Sequence, residues 1–143
     1  MADPHAGAAA RHVARMREHA AALAGACTAC GACYRACPTV AQVPALADAG
    51  AETVMTGIRD LLQDGAGNAA AVTFAAACCR SAQCTGACPE KLDAAFMMRL
   101  ANLRVRGALG DARVATKDDP GWSARVKAFA RLTMTEEEQA KWL

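Results

Sequence analysis

Four cysteines within eleven residues, Cys27, Cys30, Cys33 and Cys37, with Pro38 directly after the last, constrain this chain more than any other feature. Three thiols at three-residue steps can wrap one compact centre. The fourth, one residue further out and turned by the proline, points away from it. The rest of the composition makes such a centre useful. The chain has 143 residues, enough for one domain of ordinary size. Its 54% of apolar residues is inflated by alanine, and only 4% are aromatic, so the purely hydrophobic core is expected to be thin. Thiolates that bind metal add folding free energy directly.

The run reads Cys-x2-Cys-x2-Cys-x3-Cys-Pro, the spacing of the bacterial ferredoxin run that holds iron-sulfur cubes. A structural zinc site is the alternative, but zinc usually takes two separated Cys-x2-Cys pairs. Gly31 suits a backbone that must pass close to sulfide and aim its amides at it. Moving 51 positions along the chain maps Cys27, Cys30, Cys33, Cys37 and Pro38 onto Cys78, Ser81, Cys84, Cys88 and Pro89. Even the alanine before the final cysteine recurs, as Ala36 and Ala87. The chain therefore carries an internal repeat with one ligand replaced.

Two such runs in one small domain predict crossed ligation, because the fourth cysteine of each run serves the other centre. Cys27, Cys30 and Cys33 then share a 4Fe-4S cluster with Cys88. Cys78 and Cys84 share a second cluster with Cys37, and its last corner falls at Ser81. Three outcomes compete there. A 3Fe-4S cluster needs only three cysteines and ranks first. Cys79, beside Cys78, completing a 4Fe-4S cluster ranks second. Ligation by Ser81 ranks third, since a hard alkoxide matches iron-sulfur chemistry less well than a thiolate.

The remaining sequence reads as helices. Val13, Met16, Ala20 and Leu23 give an amphipathic helix over residues 11–24, with His5, His12 and His19 on a wet side of it. Val54, Ile58, Leu61 and Leu62 mark a second, stopped by the glycines of "QDGAGN" at 63–68. Asn68 caps an alanine-rich helix towards Cys78, and Asp93 caps one through Phe96, Met97, Leu100 and Leu103. Met97 and Met98 read as core filler. Asp119 and Pro120 open a helix with Trp122, Val126 and Phe129 on one face, and Thr135 with Glu138 form a capping box for a last one. No period-2 strand pattern is found, so the expected class is all-α. Residues 1–26 read as an N-terminal helix, 27–110 as a two-cluster domain and 111–143 as a helical docking arm.

The N-terminal stretch lacks the apolar core of an export signal, and no stretch reaches the roughly 20 apolar residues of a membrane span. The expectation is a soluble chain in a reducing cytoplasm, where cysteines serve metal or redox chemistry. The formal net charge of +2 argues for no particular partner. Arg99, Arg104, Arg106 and Arg113 form a modest basic stretch without interleaved aromatics, so nucleic acid is not expected, and a solvated helix face or a protein-docking surface is.

From about Ala24 to Gly110, including the spacer "GIRDLLQDG" and both cysteine runs, the chain resembles the α-helical two-cluster ferredoxin module found in the small iron-sulfur component of heterodisulfide reductase and in the iron-sulfur component of anaerobic glycerol-3-phosphate dehydrogenase. The second run is also similar to the 3Fe-4S run of succinate dehydrogenase iron-sulfur proteins, but no cysteine precedes Cys27 to supply their plant-type 2Fe-2S domain. In the family first named, both runs carry four cysteines, so Ser81 is a departure. The resemblance implies an electron-transfer subunit of a hetero-oligomer. Its catalytic partner would be cysteine-rich and of heterodisulfide-reductase type, or flavin- or quinone-linked. The chain itself shows no dinucleotide-binding fingerprint and no nucleophile and base pair, so no catalytic residues are assigned. A cluster-based redox or oxygen sensor is the competing function.

Overall fold

The computed structural model describes residues 6–110 and 122–142. His5, Asp111, Arg113, Asp119, Pro120 and Leu143, on which some of the expectations above fall, lie outside the described residues. The described residues form eight α-helices and two 3-10 turns, with no strand among them. The class is all-α.

The helix expected over residues 11–24 is longer, α1 at Ala6–Ala26. His12 and His19 are exposed on it, and the His19 ring meets the edge of Phe96 at 5.9 Å. A four-residue helix, α2 at Ala32–Arg35, follows Cys27 and Cys30 and carries Cys33. Two 3-10 turns, Val40–Gln42 and Pro44–Leu46, then lead to α3 at Ala51–Leu62. Neither α2 nor these turns is legible as a periodic pattern, because each is too short to repeat one. On α3, Val54, Ile58, Leu61 and Leu62 are all buried, as their spacing predicts.

Asn68 caps α4, Ala69–Ala76, by accepting from the Ala71 amide at 2.9 Å. After α5 at Gln83–Ala87, Asp93 caps α6, Ala94–Val105, by accepting from the Phe96 amide at 2.9 Å. The buried face of α6 differs from the expected one: Met97, Met98, Leu100, Ala101, Arg104 and Val105 are buried, while Phe96 and Leu103 are partly exposed. Arg104 is thus not part of a solvated basic stretch. It is 1% exposed and reaches Asp64 through Nη2 at 2.6 Å, pinning the loop after α3 onto α6. Arg99 and Arg106 do face solvent.

α3 is the hub, packing on α1, α2, α4 and α6. The core is built from aliphatic and methionine side chains and small alanines, with Tyr34 and Phe74 as its buried aromatics. Those two meet edge to face at 4.9 Å, and the Tyr34 hydroxyl donates to the Leu46 carbonyl at 2.7 Å, which ties α2 to the second turn. Small residues let helices approach closely where α3 crosses α4. A Cβ on Gly57 would lie 2.6 Å from that of Ala71 and would also strike the Asn68 side chain, whose amide donates to the Thr53 carbonyl.

The C-terminal helices are α7, Trp122–Thr133, and α8, Glu136–Trp142. The capping box is present: the Thr135 amide donates to Glu138 at 2.8 Å and the Glu138 amide to the Thr135 hydroxyl at 3.3 Å. α7 rests on the turn Val40–Gln42 and buries Ala128 completely. Its face with Trp122, Val126, Phe129 and Leu132 points outward, so these side chains do not cap the domain's own core. Gly57→Val is expected to cost about 1–3 kcal/mol by overpacking the α3–α4 crossing, measured by chemical denaturation, with Gly57→Ala the milder variant.

Candidate functional site

The two cysteine runs fold alike. In the first, Ala29 and Gly31 are left-handed, at φ 56° and 78°; in the second, the residues 51 positions on, Arg80 and Ala82, are left-handed at φ 61° and 60°. Gly31 starts α2, and Ala82 starts α5 at the matching place. Each loop thus makes the same two reversals and opens the same short helix. Ser81 sits between two left-handed residues as Cys30 does, so the lost cysteine has left the backbone conformation intact. Left-handed backbone costs a residue with a Cβ roughly 1–2 kcal/mol, which alanine bears at 29 and 82. Gly31 has a further reason to be glycine. A Cβ there would come within 2.7 Å of the Ala51 Cβ and 2.9 Å of the Arg35 guanidinium, so helix packing, not only passage near sulfide, requires it.

α2 and α5 pack against each other, and α5 also meets α6. That packing sorts the thiols into two cavities. Cys27, Cys30, Cys33 and Cys88 line one narrow cavity with Met55, Met97 and Pro89. Cys37, Cys78, Cys79 and Cys84 line the other, of about 320 Å³, together with Ser81, Phe74 and Met98. The last cysteine of each run therefore lies with the thiols of the other run. Cys79 and Ser81 both reach the second cavity.

Cys33 is buried and the other seven cysteines are partly so. Burial, with the neighbouring Cys27 and Cys84 sulfurs adding to it, pushes the Cys33 thiol up to about 12. Burial also raises Cys84 to about 11, helped by Cys78 and Cys37, and lifts Cys37 and Cys78 above the ordinary thiol range. Polar groups oppose this. The Ala29 amide donates to the Cys27 sulfur at 3.4 Å, and backbone amides at Tyr34, Arg80 and Thr85 favour the charged forms of Cys33, Cys78 and Cys84. The Cys33 thiol itself donates to the Met55 thioether at 3.5 Å.

Two contributors escape sequence reasoning. Met55 belongs to the periodic face of α3 and carries no signal of its own. Thr39 follows Cys37-Pro38, is fully buried, and its hydroxyl has no hydrogen-bond partner among the described residues, although it is placed to favour a Cys37 thiolate. An electron-rich sulfur centre would satisfy that hydroxyl. The thiols line spaces rather than converge on a point: among the described residues, no group of three Cys, His, Asp or Glu side chains is placed to hold a single metal ion. Four soft thiols around one cavity, three with Cys79 and Ser81 around the other, and a buried hydroxyl aimed at sulfur fit iron-sulfur clusters as the residents. Among the described residues no helix is long and apolar enough to cross a membrane.

Two outcomes follow for the chain alone. Ala82→Gly relieves the left-handed alanine and is expected to raise thermal stability by about 1 kcal/mol. The metal-free fold keeps its buried thiols protonated where the unfolded chain would ionise them. Their contribution to stability is full below about pH 8.5 and is lost as the pH rises towards 12. Denaturation midpoints of the metal-free chain at a series of pH values should fall over that interval, and a flat profile would contradict the burial of these thiols.

No curated protein and no solved structure matches the chain. Residues 26–93, which hold all eight cysteines, match the family model described as a 4Fe-4S dicluster domain. That match, over just under half of the chain, supports an iron-sulfur protein of ferredoxin type with a role in electron transfer.

Proposed function

We propose that the chain is the electron-relay subunit of an oxidoreductase complex of heterodisulfide-reductase type. The observation that carries this reading is the sorting of the thiols into two neighbouring groups, each completed by the last cysteine of the other run. Cys27, Cys30, Cys33 and Cys88 would hold a 4Fe-4S cluster. Cys37, Cys78 and Cys84 would hold the second, with 3Fe-4S favoured and Cys79 or Ser81 the rival fourth ligands. Such clusters supply one-electron transfer and no group transfer. The chain's part is to hold the two sites a few residues apart, with Cys33 on α2 and Cys37 two residues past its end, and to limit water at the sulfurs.

Chemistry then belongs to a partner. The partner proposed is a cysteine-rich catalytic protein of heterodisulfide-reductase type, or a flavin- or quinone-linked one. The exposed Trp122, Val126, Phe129 and Leu132 on α7 support docking there, since large apolar side chains are otherwise costly to leave in water. A cytoplasmic location fits thiol-bound iron in a reducing compartment.

Iron and acid-labile sulfide in anaerobically purified protein, with low-temperature electron paramagnetic resonance before and after reduction, test the reading. An oxidised 3Fe-4S signal as isolated, joined by a reduced 4Fe-4S signal, is expected. Two reduced 4Fe-4S signals with no 3Fe-4S signal would refute the open corner at Ser81, and absence of iron would refute the relay. Ser81→Cys should abolish the 3Fe-4S signal and yield a second 4Fe-4S signal, while Cys79→Ala should leave the spectrum unchanged.

A further inference from the structure

Each thiol group has a guanidinium near it, but on the first this is Arg35, which is exposed, is paired with Glu52 and donates to the Cys30 carbonyl at 2.8 Å from outside the cavity. The wall of the first cavity contains one charged residue, Glu90, and no cation among the described residues. The wall of the second contains Arg80 and Arg99, both largely in solvent, and Asp93, whose carboxylate is engaged as the cap of α6. A third guanidinium reaches the second group from a distant part of the chain. Arg125 of α7 donates through Nη1 to the Ala76 carbonyl at 3.1 Å, two residues before Cys78. The helix is seated on the turn that follows Cys37, with Ala128 buried beneath it. It also brings Lys127 and Arg131 to a groove that includes Cys37 in its wall. None of its residues lines the first cavity.

We infer that Arg125 tunes the second cluster, raising its reduction potential without acting on the first, so that α7 is a functional cover for one of the two sites and not only an appendage. The inference rests on the relay reading. A cluster held by thiolates is anionic and gains one more negative charge on reduction, so a cation beside it stabilises the reduced state over the oxidised one. Proximity and burial decide which cation matters. Arg80 and Arg99 are exposed, and solvent and salt screen them. Arg125 is half-buried and fixed by its hydrogen bond, so its charge is less screened. One electron is exchanged between the two sites, one being oxidised as the other is reduced; no bond is made or broken, and no proton is required. Because Arg125 touches the backbone before Cys78 and no thiol of the first group, its effect is confined to one cluster.

Anaerobic potentiometric titration of the full chain, followed by electron paramagnetic resonance, tests this. The centre whose signal changes in Ser81→Cys is the second. Arg125→Gln is expected to lower that centre's potential by about a tenfold change in its ratio of reduced to oxidised forms, about 59 mV for one electron, with the first centre unmoved. Arg125→Lys, which keeps the charge, should recover most of the shift. An unmoved second centre in Arg125→Gln, or an equal shift of both centres, overturns the inference. Iron and sulfide are measured on the same samples. A wild-type chain with fewer than two clusters overturns the relay reading and this inference with it, whereas two intact clusters without a selective shift overturn the role of Arg125 alone.

Discussion

α2 and α5, each barely more than one helical turn, lie against one another, and the arrangement of the domain follows from that contact. Each closes a cysteine loop, and each sends its last cysteine across the contact to the other loop's cavity. Helices this short have no stability of their own. They are held by what surrounds them: Tyr34 through its hydroxyl and its ring, Arg35 through the Cys30 carbonyl and Glu52, and α5 by the start of α6, where the Thr85 hydroxyl accepts from the Ala95 amide. The hub α3 forms one wall through Met55, so the aliphatic core and the thiol cavities share a boundary.

That shared boundary accounts for the composition. A core poor in aromatics relies on alanine to bring helices close, and close helices leave the sulfurs little water. Burial then opposes ionisation of the thiols, while amides and the Thr39 hydroxyl favour it. Such a site favours a ligand that takes up thiolate charge and spreads it over several metal and sulfur atoms. Loading it releases the thiol protons, so cluster binding and folding are coupled through the same groups.

The repeat is deeper than its cysteines. Ser81 removes a thiol, yet the residues on either side keep the left-handed conformation of their counterparts around Cys30, and an alanine stands where the first loop has Gly31. The backbone of the second loop is therefore set by its packing and not by the ligand at its centre. The two sites also differ in their surroundings: Glu90 is the charged residue in the wall of the first, beside which Arg35 is paired with Glu52, whereas Arg80 and Arg99 line the second and Arg125 binds the backbone next to it. A duplicated scaffold with unequal corners and unequal charge is suited to two clusters with different properties, which is what the proposed relay requires.

Much was legible without coordinates. The cysteine spacing and its copy marked the site. The apolar steps of α3 and the caps Asn68 and Asp93 gave that helix and the starts of α4 and α6 their places, because these signals act within one turn of the residues that carry them. What depends on distant residues meeting was not legible. Arg104 read as a solvent-facing cation until Asp64 met it from the loop after α3. Thr39 and Met55 carry no motif, and Arg125 lies far along the chain from Ala76, whose carbonyl it binds. Local spacing determined which atoms can bind and where helices begin. The paired runs also predicted which thiols group together; only the packing of α2 on α5, and of α7 on the turn after Cys37, decided how deeply those thiols are buried and which charges face them, because burial and electrostatic contact are properties of surfaces brought together by the fold.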